Sequence, residues 1–258
     1  MFVSIDQMNQ TIRLGSTPKR IVSIVPSQTE LLYALGLEDE VVGITKFCIY
    51  PSDWFNSKKR VGGTKNVNFD KVKALQPDLI IGNKEENSKE DIEALKSICP
   101  VWMSDIYDLN DAIEMIHKIG EFTNKKLESN EIISKIQSGF NSLNINTKIC
   151  TSVLYLIWKN PFIAVGRNTF INDMIQRIGF NNFISEVRYP EIDPSAFEKH
   201  PDLIFLSSEP FPFKDKHIDE LQEIFPNSKI QLVDGELFSW YGSRLQYSVE
   251  YFKSLHIQ

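Results

Sequence analysis

Apolar and polar residues in the first half of the chain follow one another in the order of a strand-helix repeat. The run IVSIV at 21–25 is continuously apolar, which is typical of a strand covered on both faces. Thr29 is the predicted N-cap of the helix ELLYALGL, and Gly36 is its predicted stop. Further strands are predicted at 41–45, 78–82 and 100–103, with helices at 69–76 and 88–97. This order predicts an α/β fold with a mostly parallel sheet.

The second half of the chain repeats this order. FDKVKALQPDLIIG at 69–82 corresponds to DPSAFEKHPDLIFL at 193–206, and the strand, loop and helix of 21–37 correspond to those of 162–180. The elements predicted there are strands at 152–158, 162–165, 202–207 and 229–233 and helices at 169–178, 194–199, 214–224 and 244–255. A repeat of this size predicts two similar lobes, and a cleft between two lobes is a common place for a small ligand.

The segment between the two repeats has a different pattern. Residues 109–140 contain no proline, and their isoleucines recur three or four positions apart over most of the length. We expect one long α-helix here, with Gly120–Thr123 as the place where it could break. Residues 2–14 are predicted as a small hairpin and 46–68 as irregular. The predicted organisation is an N-terminal lobe at 1–108, a bridging helix at 109–143 and a C-terminal lobe at 144–258.

Composition narrows the class of protein. The chain has 258 residues, of which 42% are hydrophobic, and a net charge of −6, which is an ordinary globular composition. Because there is no basic stripe, nucleic acid is not an expected partner. No run approaches the ~18 apolar residues of a membrane span, and the first residues lack the pattern of a secretory signal. We expect a cytoplasmic monomer as sequenced, or a periplasmic or membrane-associated protein if an export signal has been removed.

Candidate catalytic groups are sparse. The histidines at 117, 200, 217 and 256 are scattered and lack metal-ligand spacing. No glycine-rich phosphate loop follows a strand, and Ser27 lacks the flanking glycines of a nucleophile elbow. Three widely spaced cysteines, Cys48, Cys99 and Cys150, argue against a disulfide framework. These observations favour a binding protein with no catalytic residues, no protein-held metal and no resident cofactor.

Aromatic residues are frequent in the loops predicted to follow strands. Loops lie on protein surfaces, where large apolar side chains usually mark contact sites. The alternative is that some of these residues cover a core, which we expect for Phe238 and Phe211. The aromatic loop residues are Tyr50, Tyr107, Tyr189, Phe211, Phe213, Phe238, Trp240 and Tyr241. At least half are expected to line the cleft, where they would suit a large, flat, partly apolar ligand.

Several segments, in this order along the chain, resemble one known family. They are RIVSIVPSQTELLYALGL, the PDLIIGN step, the long central helix, GRNTFINDMIQRIGFNNF, the second PDLI step and DGELFSWYGSRL. The chain is similar to the helical-backbone (class III) substrate-binding proteins of ABC transporters, the Fe/cobalamin type, and within them to a subgroup without a signal peptide. The resemblance covers nearly the whole chain. It implies two Rossmann-like lobes with mostly parallel sheets, bridged by one long α-helix, with the ligand held between the lobes.

The resemblance also implies a function, the binding of a small-molecule metal chelate for transport. The ligand would be a corrinoid such as cobalamin, a siderophore, haem or another iron chelate, delivered to an ABC permease. Members that bind bare metal ions use histidine and carboxylate ligands, and this sequence lacks that set. The alternatives are a cytosolic enzyme with an interlobe active site and a cytosolic ligand carrier or sensor.

Specific residues are predicted to bind the chelate. Since an arginine fork pairs well with oxygen atoms, polar anchors are expected beside the aromatic walls. Cys48 could ligate a soft metal, but a small buried hydrophobe is the commoner state of a free cysteine. The predicted ligand-binding residues are Tyr50, Tyr189, Trp240 and Tyr241 as walls and Arg188 and Glu236 as anchors, with Cys48, Glu85, Asn87 and Phe213 as further candidates.

The resemblance implies a second set of residues, for docking to the permease. Importer-docking members carry a glutamate on the outer surface of each lobe. Lys89 and Ser195 stand near those places in this sequence. Glu90 and Glu198 are close by and are the predicted docking residues.

Overall fold

The predicted strand-helix order is present in the structure, a computed structural model that describes residues 2–143 and 151–255. The strands are β1 (Phe2–Ile5), β2 (Thr11–Leu14), β3 (Ile21–Ser23), β4 (Val41–Ile44), β5 (Lys59–Arg60), β6 (Gly62–Gly63), β7 (Asn66–Val67), β8 (Leu79–Asn83), β9 (Val101–Ser104), β10 (Ser152–Trp158), β11 (Phe162–Ala164), β12 (Asn181–Asn182), β13 (Glu191–Ile192), β14 (Leu203–Ser207) and β15 (Lys229–Val233). The helices are α1 (Pro26–Ala34), α2 (Ser52–Ser57), α3 (Phe69–Ala74), α4 (Lys89–Leu95), α5 (Leu109–Phe122), α6 (Lys126–Asn141), α7 (Phe170–Arg177), α8 (Asp215–Ile224), α9 (Gly235–Ser239) and α10 (Leu245–Ser254), with a 3-10 helix at Pro194–Ala196.

The chain divides into two compact units. Unit 1 contains the residues up to Ile106, Asn110–Ile136 and Tyr241–Arg244. Unit 2 contains Tyr107–Leu109, Gln137–Trp240 and the residues from Leu245 onward. The division falls within α6, and a short C-terminal segment belongs to unit 1, so the units are not simply consecutive in sequence.

The five-stranded sheet of unit 1 is parallel throughout, whereas the pairs β1-β2 and β6-β7 are antiparallel. Its strand order is β5-β4-β3-β8-β9, which puts β3 in the centre. Ile21 of β3 pairs with Val41 of β4 on one side and with Leu79 of β8 on the other. The apolar run at 21–25 is buried, as expected for a strand covered on both faces. The edge strand β5 carries exposed Lys59 and Arg60, and charge on an edge strand discourages pairing with another chain.

Helix α1 begins earlier than predicted. Pro26 is its first residue and Val25 its N-cap, so the prediction of Thr29 as N-cap is wrong. Proline is favoured at the first helical position because its missing N–H would have no partner there. Thr29 lies inside the helix, and its hydroxyl donates to the Val25 carbonyl (2.9 Å). Gly36 follows the helix with a φ of +69°, which confirms it as the predicted stop.

The segment predicted as one long helix consists of α5 and α6, separated at Thr123–Lys125. This break lies at the C-terminal side of the predicted position. Asn124 has a φ of +59°, a left-handed backbone conformation that ends α5. A Cβ on Gly120 would lie 2.1 Å from the Ser129 hydroxyl, so the glycine permits α5 and α6 to approach closely.

The sheet of unit 2 is mixed. β10, β14 and β15 are parallel, and β11 pairs antiparallel with both β10 and β13. The predicted α/β class with two mostly parallel sheets is therefore confirmed. The core of this unit packs around Leu154, Ile204, Leu221 and Phe225.

Three local predictions need correction. The helix predicted at 194–199 is only the 3-10 turn Pro194–Ala196, because the Asp193 carboxylate accepts the Ser195 N–H (3.0 Å) and Phe197 is extended. The segment 46–68, predicted as irregular, contains α2 and three short strands. The loop predicted around Glu236 contains the short helix α9, capped by the side chain of Asp234.

Candidate functional site

Unit 1 presents Tyr50 on the loop that follows β4. This loop leaves the carboxyl end of a strand in a parallel sheet, the usual position of ligand-binding loops. The Tyr50 side chain is 41% exposed. The guanidinium carbon of Arg244 lies 4.7 Å from the centre of its ring. Tyr50 and Arg244 therefore form a cation–π pair at the surface of unit 1.

Arg244 is held by Glu30 of α1. Its Nε donates to one carboxylate oxygen of Glu30 (3.0 Å) and its Nη2 to the other (2.8 Å). Such a two-point contact fixes the plane of the guanidinium. The close approach of this segment to α1 requires Gly242, since a Cβ there would lie 2.7 Å from the Ser27 carbonyl oxygen. Neither Arg244 nor Glu30 was predicted, because the two residues lie 214 positions apart.

Unit 2 carries a second aromatic and cationic cluster around Arg188. The guanidinium carbon lies 5.5 Å from the centre of the Tyr107 ring and 5.5 Å from that of Tyr189. Its Nη1 donates to the Asn168 carbonyl (3.0 Å). Arg188 itself has a φ of +67°. The structure thus brings together the predicted Arg188 and Tyr189 and adds Tyr107, an aromatic loop residue outside the predicted binding set.

The backbone around Arg188 is held by Gly166. The Gly166 N–H donates to the Arg188 carbonyl (2.8 Å), and the Arg188 N–H donates to the Arg167 carbonyl (2.7 Å). A Cβ on Gly166 would lie 2.3 Å from the Glu186 carbonyl oxygen, so only glycine permits this approach. Gly166, the glycine of the GRNT segment, is therefore required to position Arg188.

Trp240 and Tyr241, expected as aromatic walls, are largely buried. Each is only 7% exposed. The Trp240 indole N–H donates to the Glu209 carboxylate (3.0 Å), which also accepts from the Ser239 hydroxyl (2.8 Å). Glu236, expected as an anchor, lies half-buried in the first turn of α9. These residues are part of the packing of the DGELFSWYG segment, which limits the surface they offer to a ligand.

Two of the further candidates have structural roles. The Asn87 side chain accepts the Asn83 N–H (2.8 Å) and donates to the carbonyls of Thr64 (2.8 Å) and Ile24 (3.2 Å). It pins the turn after β8 from within the fold. Phe213 is 5% exposed and belongs to the apolar core of unit 2. Their side chains are engaged by the protein itself, which disfavours the ligand-binding interpretation.

Cys48 and Glu85 occupy different environments. Cys48 is fully buried, and its sulfur lies 3.1 Å from each of the hydroxyls of Thr29 and Thr45. Burial raises the pKa of its thiol more than these hydroxyls lower it. This geometry favours the buried thiol over the metal ligand. Glu85 is half-buried in the turn after β8, and its N–H donates to the Asn83 side chain (2.8 Å).

The predicted docking residues lie on the surface. Glu90, in the first turn of α4, and Glu198, just after the 3-10 helix, are both exposed. Their neighbours Lys89 and Ser195 are exposed as well. Each unit thus carries one predicted docking carboxylate that a partner could reach.

Histidines and cysteines form no metal cluster in the part of the chain that the structure describes, which excludes Cys150 and His256. His117 and His200 are exposed, and His217 is buried against Phe211 and Phe213. Over residues 2–143 and 151–255, none of the helices combines the length and apolarity needed to cross a bilayer.

Comparison with known proteins gives this architecture a family. The sequence profile of a family described as periplasmic binding protein matches residues 21–225. An uncharacterized ABC transporter substrate-binding lipoprotein, YvrC, of Bacillus subtilis is 31% identical over 187 residues, which are 69% of this chain and 59% of that protein. A vitamin B12-binding protein of Vibrio campbellii is 23% identical over 195 residues, 73% of this chain and 70% of its own.

A solved structure of another protein has the same fold as this chain. The catecholate-siderophore binding protein VctP of Vibrio cholerae superposes with a TM-score of 0.81, at 14% identity, over 98% of this chain and 99% of its own. The chain belongs to the periplasmic binding protein family. These relatives are named for the solutes they bind or for transport, and none is named for a reaction. The matched region spans 59% of the length of the Bacillus subtilis relative.

Proposed function

We propose that this chain is a non-catalytic solute-binding protein that holds a metal chelate for ABC-type uptake. The observation that carries the proposal is the family match over residues 21–225. The names of the relatives, a substrate-binding lipoprotein and a vitamin B12-binding protein, support the same role. The chelate would be a corrinoid, a haem or an iron siderophore.

The two surface clusters supply chemistry suited to such a ligand. Tyr50 with Arg244 in unit 1, and Tyr107 with Arg188 and Tyr189 in unit 2, each combine aromatic faces with a guanidinium. Aromatic faces pack well against the conjugated part of a chelate, and an arginine pairs with its carboxylate or amide oxygens. We assign Tyr50, Arg188 and Tyr189 as the principal ligand-binding residues. Trp240 and Tyr241, which are largely buried, and Glu236, which is half-buried, are assigned no principal contact.

A titration of the full chain tests this function. Cobalamin, cobinamide, haemin and a ferric siderophore are each added while tryptophan fluorescence is followed. We expect at least one to bind well below ~100 μM, the range that a dedicated receptor needs. Arg188→Ala should weaken that binding by about 1–3 kcal/mol, the scale of a central anchor residue. Arg13→Ala, which removes an exposed arginine from β2, is the matched control and should leave binding unchanged.

Two outcomes contradict the proposal. One is that none of these chelates binds below ~100 μM, which would make a receptor role untenable. The other concerns the assigned residues. If Arg188→Ala binds the chelate as tightly as the control Arg13→Ala does, the cluster around Arg188 is not part of the site. Thermal unfolding of each variant, without ligand, establishes that the fold is intact.

Uptake requires a permease partner and a matching location. We propose that Glu90 and Glu198, one exposed carboxylate on each unit, contact basic residues of an ABC permease. A role in uptake also requires the protein to act on the outer side of the membrane that the permease spans. This supports the periplasmic or membrane-associated alternative over the cytoplasmic one.

A further inference from the structure

The loop after β4 exposes three large apolar side chains within the four consecutive residues 47–50. Phe47 is 52% exposed, Ile49 45% and Tyr50 41%, while Cys48 between them is fully buried. Exposed apolar side chains are ordinary when scattered singly, but a group of them on one loop usually marks a contact site. Phe47 and Ile49 were not among the predicted binding residues. We call Phe47, Ile49 and Tyr50 the apolar platform.

The backbone beneath the apolar platform is fixed by Cys48. Its sulfur contacts the hydroxyls of Thr29 and Thr45, both at 3.1 Å. Its N–H donates to the Thr45 carbonyl (3.3 Å), and the Ile49 N–H donates to the Phe47 carbonyl (2.9 Å). Thr29 lies in α1 and Thr45 follows β4, so the loop is tied to two elements of unit 1. The inward direction of Cys48 leaves its neighbours at the surface.

Each ring of the platform also rests on a defined support. The edge of the Phe47 ring lies close to Gly63. A Cβ on Gly63 would be 3.2 Å from Cε2 of the Phe47 ring. The Lys46 ammonium lies 5.0 Å from the centre of the Phe47 ring. Tyr50 is supported by the guanidinium of Arg244, which is clamped by Glu30. The exposed surface is therefore a built feature of the loop.

We infer that the apolar platform receives the conjugated face of a macrocyclic chelate, a corrin or a porphyrin, rather than an open-chain hydroxamate or citrate chelate of iron. This inference rests on the proposed function and narrows its ligand class. A macrocycle has a wide apolar face that gains by covering apolar side chains. Open-chain hydroxamate and citrate chelates present mainly oxygen atoms, which need hydrogen-bond donors. Phe47 and Ile49 have no polar side-chain atoms to offer.

The test compares two ligand classes on the full chain and its variants. Haemin and cobinamide represent the macrocycles, and ferric citrate and a ferric hydroxamate represent the open-chain chelates. We expect a macrocycle to bind at least about tenfold more tightly than either open-chain chelate. Phe47→Ala should raise the Kd of that macrocycle by about tenfold, the effect of losing an aromatic anchor. Phe47→Trp, which keeps a flat ring, should stay within about threefold of wild type.

Two further variants separate the platform from general surface effects. Gly63→Ala places a methyl group against the Phe47 ring and should weaken macrocycle binding while Phe47 is still present. Tyr247→Ala removes an aromatic residue that is 67% exposed on α10, and it should leave the Kd unchanged. Phe47 and Tyr247 are both exposed, so their variants should unfold at the wild-type temperature.

The outcomes distinguish this inference from the function on which it rests. If open-chain chelates bind and macrocycles do not, the inference is overturned and the receptor function stands. If no chelate binds, both are overturned. If a macrocycle binds equally well to wild type, Phe47→Ala and Gly63→Ala, the receptor function stands and the apolar platform is not its contact surface.

Discussion

At the scale of single residues, burial decides the chemistry of Cys48. The residue lies within an exposed aromatic loop, where a thiol could be a ligand for a soft metal. The structure instead encloses it, beside the hydroxyls of Thr29 and Thr45. Desolvation disfavours the thiolate and raises the thiol pKa. Because the thiolate is the form that binds metals, burial disfavours a metal-ligand role for Cys48. Its contacts with the two hydroxyls instead make it an anchor of the loop.

Replacing Cys48 tests this anchor. Cys48→Ala leaves two buried hydroxyls without the sulfur and should lower the free energy of unfolding by about 1–2 kcal/mol. Cys48→Ser keeps a hydrogen-bonding atom and should cost less. Chemical denaturation measures both. A loss from Cys48→Ala indistinguishable from zero would contradict the anchor role.

The accessibility of the thiol gives an independent check on the same residue. In a Cys99→Ser, Cys150→Ser background, Cys48 is the remaining cysteine of the sequence. Ellman's reagent should label it in denaturant and leave it unlabelled in the native protein. Rapid labelling of the native protein would mean that the thiol is reachable by a ligand.

At the scale of elements, the start of α8 depends on a histidine. His217 lies at the third position of the helix, and its Nδ1 accepts the Lys214 N–H (2.8 Å). This is the reciprocal half of a capping box, in which glutamate or glutamine is the usual residue. Only a neutral imidazole can accept this hydrogen bond. Burial, followed by the charges of Lys159 and Lys216, lowers the pKa of His217 from its usual value of 6.5.

A depressed histidine pKa gives the fold a defined pH dependence. The stabilising contribution of neutral His217 is fully present above pH 6.5 and is lost as the pH falls through the lower pKa of the folded state. His217→Gln keeps an acceptor that does not titrate. Within that window, the free energy of unfolding of wild type should fall relative to His217→Gln by up to about 1.4 kcal/mol per pH unit.

Urea denaturation of both proteins between pH 8 and pH 5 measures this difference. His117, His200 and His256 are shared by the two proteins, so their contributions cancel. Parallel stability curves over the whole range would show that the capping hydrogen bond does not depend on the protonation of His217.

At the scale of the whole molecule, the residues proposed for ligand binding and those proposed for docking are different. The ligand-binding candidates lie in the loop after β4 and around Arg188, whereas Glu90 and Glu198 lie elsewhere on the surfaces of units 1 and 2. Charged residues at the rim of an interface mainly affect the rate of association with the partner that the interface binds. Docking and chelate binding should therefore respond to different substitutions.

Charge reversal tests the docking proposal. In vesicles containing the host's chelate permease, Glu90→Lys combined with Glu198→Lys should lower the ATPase stimulation by about tenfold, since like charges would then face each other. The Kd for the chelate should stay at its wild-type value. Glu93→Lys reverses another exposed carboxylate of α4 and is the matched control. It should stimulate the permease ATPase as wild type does. Full stimulation by the double variant would exclude these carboxylates from the interface.

Much of the fold could be predicted from local patterns. Continuously apolar runs predicted β3 and β8, and the repeated Pro-Asp step before β8 and β14 predicted two related units. Gly36 was identified as a helix stop because a left-handed backbone at that position favours glycine. These features depend on neighbouring residues, so the sequence alone determined them. Two predictions were wrong for local reasons. Thr29 is not the N-cap because α1 already begins at Pro26, and no helix forms over 194–199 because Asp193 caps a short 3-10 turn there.

The candidate site depends on contacts that local sequence patterns do not contain. Tyr50, Arg188 and Tyr189 were predicted from their loops, and they do lie in aromatic and cationic clusters. The same reasoning did not distinguish them in exposure from Phe213, Trp240 and Tyr241, which are buried. Whether a loop aromatic is exposed depends on which distant segment covers it. For the same reason only the tertiary structure paired Arg244 with Glu30 across 214 positions and turned Cys48 inward.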